Sequence, residues 1–359
     1  MNNMVICVGG CGGNIARLIT KSELLKDVTI YAADSTTSQI NMDDMARINY
    51  ICLMADENSG SGRNRERAQA MFEYHQNNKA FDKMYEDAIN AKSPVLVITS
   101  AAGGTGSGSI VPLCKSLIEL EVEVIPIIIC PNSDDPDAYH LNTNDLFVEL
   151  EEIGITTYSM FRNLRGDANY GPVNKEVVDL IEIIFGKMYG KTNLDSIDDS
   201  DRNVILSTPG RFIAISATAS DIPNLRKEIT RKIFSGFQPA WTDEETRNHT
   251  FMTAYSLTSM FADTDINSVF EEINSRIQHR YDGYKNICLS DNNEAFATVI
   301  VAGLPRAGLK NIDVDFKEVE PLGSGITKSR RPKFLGRKKE LINKDKSNSS
   351  SSIDKFNWT

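Results

Sequence analysis

Thr99 to Ser109 reads Thr-Ser-Ala-Ala-Gly-Gly-Thr-Gly-Ser-Gly-Ser, five hydroxyl side chains and four glycines in eleven residues. Residues of these types at this density can hold an anion. Glycine lets the backbone approach a phosphate with no Cβ in the way, and the neighbouring N–H groups then donate directly. Thr105, Ser107 and Ser109 add hydroxyl donors. The run stands between a compact apolar stretch, Pro94 to Ile98, and a segment from Ile110 to Leu120 with apolar residues at helical spacing. Strand, glycine loop and helix in that order bring several amides to a helix N-terminus, where negative charge is favoured. A plain Gly/Ser turn is the alternative, and the position between two periodic elements argues against it. No Lys follows in a GxxxxGK pattern, so a phosphate here would be held by amides, hydroxyls and a metal ion.

Other stretches repeat this strand–loop–helix grammar. Val5–Val8 reads as a buried strand, followed by Gly9-Gly10-Cys11-Gly12-Gly13-Asn14 and a helix expected from Ile15 to about Leu25. Alone this fits half of a dinucleotide fold, with Asp34 placed as a ribose-binding acid after the strand Val28–Ala32. The third glycine of that fingerprint, however, would fall at Ile15. A strand over Ile48–Leu53 leads to a loop containing Gly60-Ser61-Gly62-Arg63-Asn64, then a helix from Arg65 to His75. The Arg63 guanidinium suits a phosphate; equally, Arg63, Arg65 and Arg67 form a solvated helix start. The strand Glu123–Cys130 ends in the polar loop Pro131 to Pro136, where Asp135 is either a ligand acid or a turn residue. His140 has no evident catalytic partner.

After a strand over Thr156–Phe161 and Asn163, Asn169-Tyr170-Gly171-Pro172-Val173-Asn174 opens a helix expected to run to about Tyr189. Tyr170 offers a face for stacking, and the Asn174 amide has the donor and acceptor that match the edge of guanine. Asn163 offers a second amide. The same residues also read as a helix-capping cluster. Further on, Asn193 to Asp201 is acidic and precedes an apolar strand, Arg211–Ala217. The remaining pattern is helix (Ile222 to Phe234), strand (Thr253 to Ser259), helix (Asp265 to Arg280) and strand (Ala295 to Ala302), a mixed α+β module.

Bulk composition bounds the class. The chain has 359 residues, enough for two domains with cores, and 41% hydrophobic and 25% charged residues are ordinary for a globular protein. No apolar run approaches a membrane span, and Met1-Asn2-Asn3-Met4 lacks a basic leader, so no membrane contact and a cytoplasmic location are expected. Six scattered cysteines read as reduced core residues, and Cys7 and Cys11 lack the second pair that a metal site would need. The net charge of −10 is uneven: Pro321 to Thr359 holds ten Lys/Arg against three Asp/Glu, or +7, and the rest carries −17. Such a Ser-, Gly- and Lys-rich tail cannot bury a core and is expected to be disordered, a separate interaction device. A short basic tail beside so acidic a body is a weak footprint for direct DNA binding.

Residues 102–108, Ala-Gly-Gly-Thr-Gly-Ser-Gly, resemble the GGGTGSG signature of the tubulin/FtsZ superfamily, with Ala102 in place of its first glycine. Gly9 to Asn14 resembles the GGxGxN pattern of FtsZ, and Gly60 to Asn64 its GxGxN loop, with Arg63 where the family has a small residue. Tyr170-Gly171 to Asn174 is similar to the tubulin run that enters the central helix. The acidic stretch resembles GxxNxDxxD, with Asn193 and Ser196 replacing Gly and Asn while Asp198 and Asp201 remain.

The resemblance implies an α/β fold: a parallel-sheet GTP-binding domain over residues 1–170, a long central helix over 171–192, a smaller α+β activating and assembly domain over 193–320, and the flexible basic tail over 321–359. It implies GTP/GDP and Mg²⁺ as ligands. The nucleotide would be contacted by Gly10, Cys11, Gly12, Asn14, Asp34, Gly62, Arg63, Asn64, Ala102, Gly103, Gly104, Thr105, Gly106, Ser107, Asp135, Asn163, Tyr170 and Asn174. It further implies head-to-tail filaments in which Asp198 and Asp201 of one subunit polarise the attacking water at the next. The basic tail most resembles the TubZ branch of plasmid and phage tubulins, where the tail engages a DNA-bound adaptor in DNA segregation. A cell-division FtsZ or a phage spindle tubulin is the alternative within the superfamily. A nucleotide-cofactor oxidoreductase using Gly10 to Asn14 and Asp34 is the alternative outside it.

Overall fold

Val95-Leu96-Val97-Ile98 and Val124-Ile125-Pro126-Ile127-Ile128-Ile129 have no polar face, the mark of strands covered on both sides. They lie at the centre of the sheet, in a computed structural model that describes residues 2–36, 46–53, 60–92, 94–132, 135–162, 169–187, 199–235, 237–238, 252–258, 271, 284–288 and 295–304. The strands are β1 (Met4–Val8), β2 (Thr29–Asp34), β3 (Ile48–Cys52), β4 (Val95–Ser100), β5 (Val124–Cys130), β6 (Thr157–Arg162), β7 (Gly210–Ala219), β8 (Met252–Thr258), β9 (Tyr284–Cys288) and β10 (Ala295–Leu304). The helices are α1 (Gly9–Ile19), α2 (Arg65–Asn77), α3 (Asp82–Ile89), α4 (Thr105–Glu119), α5 (Asp137–Glu152), α6 (Gly171–Glu182), α7 (Asp199–Ser207) and α8 (Ile222–Ser235).

One sheet runs β3-β2-β1-β4-β5-β6-β7-β10-β8-β9. From β3 to β7 every pairing is parallel; β10 then runs antiparallel to both β7 and β8, and β9 pairs parallel with β8. The mostly parallel sheet with its helices matches the α/β expectation. The core is continuous beneath α1 and α6: Ile15 and Ile19 of α1, Val177 and Ile181 of α6, and Ile98, Ile127 and Phe212 of the strands are all buried in one cluster. Fully burying each such side chain contributes about 1.5–3 kcal/mol.

Parallel strands end on the same edge, and that places the loops after β1, β2, β3, β4 and β5 together. At the other join, β6 and β7 share only two register pairs, Thr157 with Gly210 and Tyr158 with Arg211. Farther along, the segment 237–238 fills in. The Phe237 carbonyl accepts from the Arg162 amide (2.8 Å), and the buried Gln238 side chain both donates to the Ala214 carbonyl (2.8 Å) and accepts from its amide (2.9 Å).

Several elements differ from their sequence-based expectations. Gly9–Asn14 does not precede the first helix but forms its opening turns, and α1 ends at Ile19, with Glu23–Leu25 a separate 3₁₀ turn. The fourth helix likewise begins at Thr105, not Ile110. Glycine is a poor helix former, so periodicity placed both starts too late. The helix opening at Gly171 is regular only to Glu182 and then widens into a π-turn over Ile183–Lys187. The short helix α3, the helix α7 and the strand β9 had no expectation. The helix expected over Asp265–Arg280 lies, apart from a helical Glu271, outside the described residues, as does the whole tail.

Candidate functional site

The glycines do two different jobs. Gly9 adopts φ +75°, and a Cβ there would lie 2.9 Å from the Gly106 nitrogen, so the openings of α1 and α4 touch backbone to backbone. Gly12 sits on β1, where a Cβ would come 2.8 Å from the Cys7 carbonyl carbon. Gly108 meets the start of α2, with the Arg65 carbonyl oxygen only 2.3 Å from its absent Cβ. Gly13 and Gly103, by contrast, face open space, with nothing within 4 Å. Among the described residues, no group accepts from the amides of Gly103, Gly104, Thr105, Gly106 or Ser107. These are the open donors of a helix N-terminus.

Beneath this turn lies a hydroxyl cluster. Thr105 Oγ1 is 2.6 Å from Ser35 Oγ and 3.0 Å from Ser61 Oγ, so one side chain ties together the loops after β2, β3 and β4. Asp34, at the end of β2, is buried and accepts from the Ser35 amide (2.7 Å). Burial raises its carboxyl to about 6, against the lowering effect of the Ser35 and Thr36 amides. Asn14 points its carbonyl oxygen at the Arg17 guanidinium, one turn along α1. Cys11 is a neutral thiol, pushed up to about 12 by burial.

The loop after β3 is shaped by two consecutive left-handed residues, Gly62 (φ +62°) and Arg63 (φ +63°). Only Gly104 lets this loop approach, because its absent Cβ would fall 2.6 Å from the Arg63 Cα and 2.4 Å from Ser61 Oγ. The Arg63 guanidinium lies over the Tyr139 ring, 5.0 Å from its centroid. Asn64 caps α2, its side chain accepting from the Arg67 amide (2.9 Å). Arg65 is not a solvated cation: it donates to the Ser107 carbonyl (3.2 Å) and pairs with Glu149 (2.8 Å).

At the other end stands Tyr170, just ahead of α6. Its hydroxyl donates to Asp135 Oδ2 (3.3 Å), and the same oxygen accepts from the Asn132 amide (2.8 Å). Burial first, and the Asp135 carboxylate second, push the phenol up to about 12. One helical turn on, Asn174 is 8% exposed, and its Oδ1 has no hydrogen-bond partner among the described residues. An orphaned buried carbonyl costs about 1–3 kcal/mol unless a donor reaches it.

The structure thus gathers Gly10, Cys11, Gly12, Asn14, Asp34, Gly62, Arg63, Asn64, the 102–107 loop, Asp135, Tyr170 and Asn174 on or beside one sheet edge. Asn163 and Asp198 lie outside the described residues; Asp201 is in α7, with its side chain likewise outside them. Sequence reasoning missed Ser35, Ser61, Tyr139 and Asn142. Ser35 directly follows Asp34 and Ser61 lies inside the Gly60–Asn64 loop, while Tyr139 and Asn142 sit three apart on α5, on a face whose neighbours no periodicity reveals.

The sequence matches no protein-family model and no curated protein. Solved structures do match. CetZ2 from Haloferax volcanii, a GTPγS-bound protofilament, superposes with a TM-score of 0.69 at 15% identity, covering 89% of this chain and 100% of that one. The GTPγS-form protofilament of Bacillus thuringiensis serovar israelensis TubZ gives 0.68 at 18% identity, covering 96% and 94%. An empty FtsZ dimer from M. jannaschii gives 0.64 at 12% identity, covering 84% and 88%. This chain shares the fold of these CetZ, TubZ and FtsZ structures.

Proposed function

We propose that the chain is a GTPase that assembles head to tail into filaments and hydrolyses GTP where one copy docks on the next. The observation that carries this reading is the run of open amides from Gly103 to Ser107, on the same edge as Tyr170 and the orphaned Asn174 carbonyl. Phosphates fit the amides and the open space at Gly103 and Gly13, while a purine fits Tyr170 and Asn174. Asp135, already holding Tyr170, suits a ribose hydroxyl. Among the described residues, no three His, Cys, Asp or Glu side chains gather to hold a metal. A Mg²⁺ ion would therefore draw its ligands from phosphate oxygens, water and hydroxyls such as Thr105, and would neutralise charge on the phosphates.

Hydrolysis in this reading needs a positioned water more than a covalent partner. Asp198 and Asp201 of the neighbouring copy supply it, with domains divided as 1–170, 171–192, 193–320 and a 321–359 tail. The protofilament structures among the neighbours support assembly, and an open filament requires such a heterologous contact. Within the superfamily we place the chain on the TubZ branch, its basic tail contacting a DNA-bound adaptor during plasmid or phage DNA segregation. The oxidoreductase alternative loses ground at Asp34, whose carboxylate is buried and bonded within its own loop.

Equilibrium binding and sedimentation with GTP, GDP and NADH test the reading. GTP should bind and pellet the protein, GDP should bind, and NADH should do neither. Binding of NADH, or no response to any guanine nucleotide, would overturn it.

A further inference from the structure

From the geometry we infer that Asn142 is a positioning residue that aims the amides of the 102–105 turn at the phosphates, an inference that rests on the nucleotide reading above. Asn142 stands on α5, half-buried, and makes no part of the glycine turn itself. Its Nδ2 lies 3.1 Å from the Ala102 carbonyl oxygen, 3.5 Å from that of Gly103 and 3.4 Å from that of Arg63. One amide group thus faces three carbonyls from two loops, with Ala102 closest. The Gly103 carbonyl has a second donor in Ser107 Oγ.

The consequence follows from peptide geometry. In a trans peptide the C=O of one residue and the N–H of the next point in opposite directions. Holding the Ala102 carbonyl toward α5 turns the Gly103 N–H away from it, and holding the Gly103 carbonyl does the same for the Gly104 N–H. Both amides are open, and no cis peptide interrupts the chain. Gly103 has no side chain to anchor it and nothing within 4 Å of its Cβ position, so its peptide planes are held through their carbonyls, by Asn142 on both and by Ser107 on the second. Without Asn142 the turn keeps its sequence and its place but loses its aim. Preorganised donors bind an anion more tightly than donors that must first be ordered.

The test uses the full-length chain with Asn142→Ala, which removes the donor, and the isosteric Asn142→Asp, which sets a carboxylate against carbonyl oxygens. The ligands are GDP and guanosine, which shares the base and ribose but has no phosphate. Backbone order of residues 102–105 is followed in parallel by amide nitrogen relaxation. Both variants should bind GDP at least ten-fold more weakly and guanosine as the parent does, with larger-amplitude backbone motion at 103 and 104. Equal weakening for GDP and guanosine would overturn the inference, because a merely structural role would act on both. Parental GDP affinity in folded variants would overturn it too, as would loss of the fold in both. If the parent itself binds no GDP, the functional reading falls, and the relaxation data alone then decide whether Asn142 orders the turn.

Discussion

Gly104 and Arg63 are in backbone contact: a Cβ on Gly104 would lie 2.6 Å from the Arg63 Cα. The residue is therefore glycine because another loop packs on it, and the glycine that faces open space is its neighbour Gly103. Gly104→Val should displace the Ser61–Arg63 loop, lower the unfolding midpoint and weaken GTP binding at least ten-fold. Gly103→Ala meets no atom within 4 Å and should leave the midpoint within about 0.5 kcal/mol of the parent. Equal thermal stability of the two variants in a calorimeter would contradict the packing account.

Asp34 makes stability depend on pH in a stated direction. Burial raises its folded value to about 6, while an unfolded Asp titrates near 3.8. Between those values the folded chain binds more protons, so this group's contribution is full below about pH 4 and is lost as pH rises through 6. Asp34→Asn should therefore be the more stable protein at pH 7, by on the order of 2–3 kcal/mol, with the advantage vanishing near pH 4. Urea unfolding of both proteins at intervals from pH 4 to 7 gives the difference directly. Parallel curves would remove the buried-carboxylate explanation.

Asn174 should trade stability for recognition. Its Oδ1 is buried and unpartnered among the described residues, so Asn174→Leu relieves an unmet acceptor. The ligand-free variant should melt no lower than the parent, whereas GTP affinity should fall at least ten-fold. A variant that melts lower but binds GTP normally would assign Asn174 to the fold alone.

Asp201→Ala separates binding from turnover. If this acid acts on a neighbouring copy's GTP, a lone subunit should bind GTP as before while hydrolysis drops by roughly 10²- to 10⁴-fold. Filaments should form and persist, since their GTP stays intact. Mixing in Gly104→Val, which retains Asp201, should restore some phosphate release if that variant still docks. Parent-rate hydrolysis by Asp201→Ala at every protein concentration would end the interface reading.

The parallel half of the fold was legible because its central strands β1, β4 and β5 are nearly unbroken apolar runs, each followed by a turn-forming loop. The glycine-rich stretches were visible as anion loops, yet their helical character was not. Gly12 and Gly108 are helical because only they permit α1 to lie on Cys7 and α4 on Arg65, a tertiary demand that overrides propensity. Arg65 had the composition of a solvated helix start, and its partner Glu149, 84 positions away, carries no mark in the sequence. Tyr139 and Asn142 were hidden for the same reason: periodicity shows which residues share a face of α5, not which loop that face meets.

The join between the two halves of the sheet has a mechanical consequence. Where backbone strands pair, opening requires many hydrogen bonds to slide together. Between β6 and β7 the rungs beyond Tyr158 and Arg211 are supplied by Phe237 and by the Gln238 side chain, whose amide imitates a missing peptide at Ala214. A side chain can swing out by rotating about its own bonds while both strands stay intact. Gln238→Ala should accordingly speed amide exchange at Ala214 without touching β4 or β5, and unchanged exchange there would mean the rung carries no strain. Beyond its two backbone pairs the seam thus rests on one carbonyl and one glutamine side chain, so a single substitution can loosen the join without rebuilding either half of the sheet.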